Sequence, residues 1–205
     1  MRAVVLHSYG GPEVLSIEEV ADPVPGPDEV LVQVAATALN RADLLQRMGL
    51  YPDPRKAQPE IPGLEFAGTV AAVGSRVTMW QVGDRVMGIT AGGAYAERIA
   101  VHERQLMAVP TTMPLTEAAA IPEVFLTAWD ALVLQGGLTS GRWALVHAGA
   151  SGVGTASIQI AKAVGARIAV TCSPGKAALC RALGADLVFD RSPSDWLAAA
   201  TAAGP

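Results

Sequence analysis

Two patterns of hydrophobic and polar positions share the chain, and they meet near residue 110. Before it, apolar residues fall in short β-branched runs punctuated by glycine and proline. Residues 2–6, 14–20 and 29–35 read as strands, separated by the turn signals Tyr9-Gly10-Gly11-Pro12 and Pro23-Val24-Pro25-Gly26-Pro27-Asp28. Residues 40–48 (NRADLLQRM) read as a short helix that Gly49 stops. Residues 52–62 hold four prolines and read as a loop. Strands resume at 69–73, 85–89 and 95–101. Many short strands between such turns predict a small β-barrel or sandwich.

After residue 110 the period changes. Residues 116–135 are apolar at helical spacing, interrupted by Pro122. Then come a strand at 144–147, a helix at 152–164, a strand at 168–171, a helix at 176–183 and a strand at 187–189, with a further helix from Asp195 to Ala203. Strand–helix–strand–helix–strand predicts a parallel sheet with right-handed crossovers. The expected fold is thus α/β plus β: an N-terminal β domain over 1–112 and a parallel-sheet α/β domain over 113–205.

Composition narrows the function. The chain has 205 residues, 51% hydrophobic and 17% charged, with a net charge of −4. That is enough apolar material for a core without disulfides or metal. No basic stripe suggests nucleic acid. Cys172 and Cys180 are the only cysteines and form no CxxC pair, which fits a reduced cytoplasmic setting. No apolar run reaches the ~20 residues that span a bilayer, and residues 1–13 do not resemble a signal peptide. No membrane partner is expected.

The strongest chemical signal is Trp143 to Ala166, WALVHAGASGVGTASIQIAKAVGA. A strand enters a glycine-rich turn that opens a helix. Gly149-Ala150-Ser151-Gly152-Val153-Gly154 is a variant of the dinucleotide fingerprint, with Ser151 at its second position. Gly149 permits the tight turn, Gly152 and Gly154 admit a pyrophosphate, and the helix N-terminus offers it unpaired N–H groups. The other reading is a plain βα turn whose glycines serve packing. At the end of the next strand, where an NAD site places an acid for the ribose 2′-hydroxyl, the chain reads Thr171-Cys172-Ser173-Pro174-Gly175-Lys176. Ser173 and Lys176 suit a 2′-phosphate, so NADP(H) is the expected cofactor.

Four segments in order, GLEFAGTVAAVG (63–74), VGDRVMG (82–88), AAAIPEVFLTAWDAL (118–132) and VHAGASGVG (146–154), resemble the medium-chain dehydrogenase/reductase superfamily. Within it the chain is similar to the zinc-free quinone oxidoreductases, above all the p53-inducible group, in LNRADLLQR, IPEVFLTA and HAGASGVGTA. The resemblance implies a GroES-like β-barrel domain followed by a doubly wound Rossmann sheet, with the active site in the cleft between them. Family members continue well past residue 205, so only the first half of the Rossmann sheet is expected here, and weak catalysis with it. A homodimer is expected of a longer form.

The resemblance also bears on metal. Zinc-dependent relatives use Cys, His and Cys where this chain has Asn40, Leu64 and Glu123. No zinc site is expected. The relay positions of alcohol dehydrogenases fall on Ala42 and Leu45, and His7, His102 and His147 read as structural. Easily reduced acceptors then fit best: a quinone, or alternatively an enone or enoyl thioester, with a catalytically dead nucleotide-binding fragment as the non-enzyme reading. By resemblance, Asn40, Asp43, Tyr51 and Thr127 line the substrate and nicotinamide site. Taken alone, Asn40 also suits a helix cap, Asp43 a helix-start acid, and Tyr51 a ring that covers core.

Overall fold

A computed structural model describes residues 1–51, 53–54, 59–192 and 196–203. Residues 52 and 55–58 of the proline-rich segment, and Asp195 at the start of the last helix, lie outside that set. The chain divides into two compact units, Met1–Glu123 and Val124–Pro205. The division falls later than residue 112 because the short helix α2 (Leu115–Ala118) follows the β strands and packs on them.

In the first unit, β1 (Arg2–Leu6) and β2 (Leu15–Glu19) form an antiparallel pair with Arg2 opposite Glu19. Five further strands make an open antiparallel sheet: β3 (Glu29–Thr37), β4 (Glu65–Val73), β5 (Arg85–Ile89), β6 (Arg98–His102) and β7 (Leu106–Ala108), in the order β6-β3-β4-β5-β7. The sheet does not close on itself. Alternation along β3 sends Val30 and Val32 inward to meet Phe66, Val70 and Val86. A register shift between Val34 and Ala36 bends the end of β3. That bend leads into α1 (Arg41–Arg47), with Asn40 as its N-cap residue.

The second unit begins with α3 (Pro122–Trp129, whose first two residues belong to the first unit). It runs on as a π-helical turn over Asp130–Gln135. Proline stands where its missing N–H costs nothing. The strands β8 (Trp143–His147), β9 (Arg167–Cys172) and β10 (Leu187–Asp190) are parallel, ordered β10-β9-β8. The connections are α4 (Gly152–Ala163) and α5 (Ala177–Ala182), as the change of period predicts. Ile158, Ala161, Ile168, Val170, Cys172 and Cys180 pack between α4, α5 and the sheet. α6 (Trp196–Ala203) starts on the opposite face: the Trp196 ring meets His147 at 5.0 Å, and His147 alternates with Val146, which packs on the α4 side.

Candidate functional site

In the first unit the site is built on α1 and the start of β4. The Asn40 backbone N–H donates to Asp43 Oδ2 at 2.6 Å, closing the helix entrance. The Asn40 side chain also reaches β4: Nδ2 donates to Glu65 Oε1 at 2.7 Å. The other oxygen, Glu65 Oε2, accepts from the Glu123 backbone N–H at 2.9 Å. Tyr95 donates its hydroxyl to Asp43 Oδ2 at 2.7 Å. One network therefore ties together the helix entrance, the first residue of β4, the turn before β6 and the start of α3.

Glu65 and Asp43 are buried, 1% and 8% exposed, while Asn40, Tyr95 and Glu123 are half-buried. Asp43 Oδ1 has no hydrogen-bond partner among the described residues. Burial pushes the Glu65 carboxyl above its ordinary value; the bonds from Asn40 and Glu123 pull it down, and the charge of Asp43 pushes it up again. Burial likewise raises the Glu123 carboxyl, with Glu65 and Asp43 adding to it. The Tyr95 phenol is pushed far up by burial and by its bond to Asp43, so it stays a donor. Unpartnered carboxyl oxygens in such surroundings cost stability.

The structure brings Asn40 and Asp43 together at the entrance of α1. Tyr51 follows α1 and is 48% exposed, and Thr127 is exposed on α3. Glu65 and Tyr95 went unread as site residues. The signal for Glu65 was a carboxylate opening an otherwise apolar strand in GLEFAG. Tyr95 carried none, for it reads as the first residue of a strand that begins at Arg98. The histidines have structural partners: His7 Nε2 lies 2.7 Å from Glu18, His102 caps the turn at Glu103–Gln105, and His147 Nδ1 lies 3.1 Å from Thr171 Oγ1.

The residues do not fit a zinc ion. Leu64 carries no donor atom, and Asn40 and Glu123 alone cannot build a tetrahedral site. Among the described residues no three His, Cys, Asp or Glu side chains converge.

In the second unit, β8 runs into the glycine turn and α4. Ser151 caps α4, its Oγ accepting from Gly154 N at 3.1 Å. The amides of Gly152 and Val153 have no intrachain acceptor among the described residues. A Cβ on Gly149 would lie 2.5 Å from Val170 Cβ, and one on Gly154 2.4 Å from the Ala148 carbonyl oxygen. Ala148 itself has φ 55°, alone in that region among the described non-glycine residues. A strained turn with free amides at a helix start fits a dinucleotide diphosphate. Past β9, Ser173 precedes the turn Pro174–Lys176, its carbonyl oxygen accepting from Lys176 N at 2.9 Å, and Lys176 is exposed. Residues 171–176 hold no acid, but Asp190 on the next strand pairs in register with Cys172.

Residues 26–111 match the alcohol dehydrogenase GroES-like domain and residues 152–205 the zinc-binding dehydrogenase family. A quinone oxidoreductase of Pseudomonas aeruginosa is 42% identical over 193 residues, covering 93% of this chain and 59% of that one. A 2-methylene-furan-3-one reductase of Solanum lycopersicum is 38% identical over 208 residues, covering 96% and 53%. The structure of Escherichia coli quinone oxidoreductase complexed with NADPH superposes with a TM-score of 0.86 at 32% identity, covering 97% and 61%. The fold and the glycine turn define a nucleotide-binding dehydrogenase architecture. The chain belongs to the medium-chain dehydrogenase/reductase superfamily. It spans about half the length of the curated relatives it matches.

Proposed function

We propose that this protein is a cytoplasmic, zinc-free oxidoreductase that reduces quinones with NADP(H), a homodimer being the proposal for a longer form. The observation that carries the reading is the turn from Gly149 to Gly154, with its two free amides at the start of α4. Ala150, Ser151, Gly152 and Val153 would hold the diphosphate, and Ser173 and Lys176 the adenosine end. Bound nicotinamide supplies the hydride or the electron. The chain's own residues position the acceptor. Glu65 holds Asn40 Nδ2, so Asn40 presents Oδ1 as an acceptor. Tyr95 is spent on Asp43, which leaves the exposed Tyr51 hydroxyl to donate to an oxygen that gains negative charge. Leu44, Met48 and Leu50, which precede it in the chain, are exposed and suit a flat apolar ring such as a quinone. Thr127 would pack against the nicotinamide.

A second reading, reduction of an enone or enoyl thioester, is favoured by the similarity to a furanone reductase. It uses the same donor on a carbonyl conjugated to the reacting double bond. The test follows NADPH oxidation with p-benzoquinone and then with an α,β-unsaturated ketone, each with and without chelator, beside a titration of NADPH binding. The expected result is weak, chelator-resistant turnover with the quinone. Turnover with the ketone alone establishes the second reading. NADPH binding without consumption by either acceptor refutes both and leaves a nucleotide-binding protein.

A further inference from the structure

Three carboxyl groups of the first unit lie near enough to act on one another, although they do not converge on one point. Each is held differently. Glu65 is buried, and both of its oxygens accept, one from Asn40 Nδ2 and one from the Glu123 N–H. Asp43 is buried as well. Its Oδ2 accepts from the Asn40 N–H and the Tyr95 hydroxyl, and its Oδ1 is sealed from solvent without a partner among the described residues. Glu123 differs from both. It is half-buried in the first turn of α3, and among the described residues its carboxyl takes part in no hydrogen bond or ion pair. Its main chain is fixed all the same, because its N–H is bonded to Glu65 at 2.9 Å. One carboxylate thus bridges Glu123 and Asn40, the residue that presents Oδ1 to the acceptor.

Reducing a quinone to a hydroquinone takes a proton as well as a hydride. We propose that Glu123 is a catalytic residue of the acceptor site, the acid that protonates the acceptor oxygen. This rests on the acceptor reading given above. Hydride received from reduced nicotinamide brings two electrons and leaves that oxygen negative. The Glu123 O–H bond then breaks, the acceptor O–H bond forms, and the carboxylate regains its proton from water. Glu65 is engaged at both oxygens and Asp43 is sealed off, so of the three only Glu123 is free to do this. An acid in this role must hold its proton until the oxygen becomes negative. Burial pushes the Glu123 carboxyl above its ordinary value, and Glu65 on β4 and Asp43 on α1 push it the same way. The dipole of α3 favours the anion; burial and two carboxyl groups act against it together.

The test uses 2,4-dinitrophenolate, a flat ring whose delocalised oxyanion stays ionised in weak acid and whose absorption shifts to the blue when that oxygen accepts a hydrogen bond. It requires neither cofactor nor turnover. The wild-type protein should bind it about tenfold more tightly below the raised Glu123 value than above it, because a protonated carboxyl donates to the anion and a carboxylate repels it. The blue shift should fade over the same rise in pH. Glu123→Gln keeps the shape and a donor but has no proton to lose, and it removes no bond of the fold. It should bind within about twofold across that range and keep the blue shift throughout. In NADPH oxidation with p-benzoquinone it should lower kcat about a hundredfold and leave KM within about twofold. A pH dependence that Glu123→Gln leaves unchanged, or an unchanged kcat, overturns the assignment of Glu123 alone. A wild-type protein that binds no dinitrophenolate at any pH overturns the acceptor reading and this assignment together.

Discussion

Replacing Glu65 tests whether the buried network is built around its carboxylate. Both oxygens accept, one from Asn40 Nδ2 at 2.7 Å and one from the Glu123 N–H at 2.9 Å. Glu65→Ala leaves two half-buried donors, Asn40 Nδ2 and the Glu123 N–H, without their acceptor. Each buried unsatisfied group costs about 1–3 kcal/mol. Relief from burying a charge offsets part of that, so a net loss of about 3 kcal/mol is expected. Glu65→Gln should cost about 1 kcal/mol or less. Its oxygen can keep the Glu123 N–H, and its amide can bond Asn40 if the Asn40 amide turns over to present Oδ1 inward. The pH dependence separates charge from shape. Burial raises the folded value of Glu65 above its ordinary 4.5, so the native state binds the proton more tightly than the unfolded chain. The stability this gives is complete below 4.5 and is lost as pH rises through the raised folded value. Urea unfolding followed by circular dichroism should show Glu65→Gln losing less stability than the wild type over that rise. Glu123, raised in the same direction, keeps part of the slope in both proteins. A cost for Glu65→Ala below about 1 kcal/mol, or equal slopes for wild type and Glu65→Gln, refutes the reasoning.

Tyr95→Phe removes one donor from Asp43 and should cost about 1.5 kcal/mol by the same urea assay. Gly154→Ala should weaken NADPH binding in a calorimetric titration and destabilise by about 1–3 kcal/mol, although alanine is ordinarily the better helix former, because its Cβ would meet backbone at 2.4 Å. Ala148→Gly should raise stability by about 0.5–1 kcal/mol in thermal unfolding, by releasing a side chain held at φ 55°.

The strands that the sequence marks clearly are those whose own residues favour extension. Arg2–Leu6 and Arg85–Ile89 fall where their β-branched runs place them. β4 begins at Glu65, ahead of the expected Thr69, because Glu65, Ala67 and Gly68 around Phe66 have little strand preference of their own. They extend because β3 and β5 flank them, with Phe66 opposite Thr37 on one side and Gly88 on the other. β7 has three residues, too few for a period to show, and exists through its pairing with β5. The break at Pro122 and the parallel strands of the second unit were legible because each depends on neighbours in sequence.

The same distinction divides the two parts of the site. The turn from Gly149 to Gly154 is contiguous, so spacing alone exposes it. The network around Glu65 joins residues separated by 25, 52 and 58 positions, and no window along the chain contains it. One local sign was nevertheless present. A short helix docked on a core should turn its leucines inward. In α1 the buried positions are Asp43, Gln46 and Arg47, while Leu44 is 45% exposed. Polar groups at the inward positions carry a desolvation cost that apolar residues there would avoid, and Asp43 Oδ1, Gln46 Oε1 and Arg47 Nε lack partners among the described residues. Violations of that kind concentrate where a fold gives up stability for chemistry. The inverted pattern of α1 therefore argues, from the energetics of the helix itself, for the site that the motif resemblance assigns to Asn40 and Asp43.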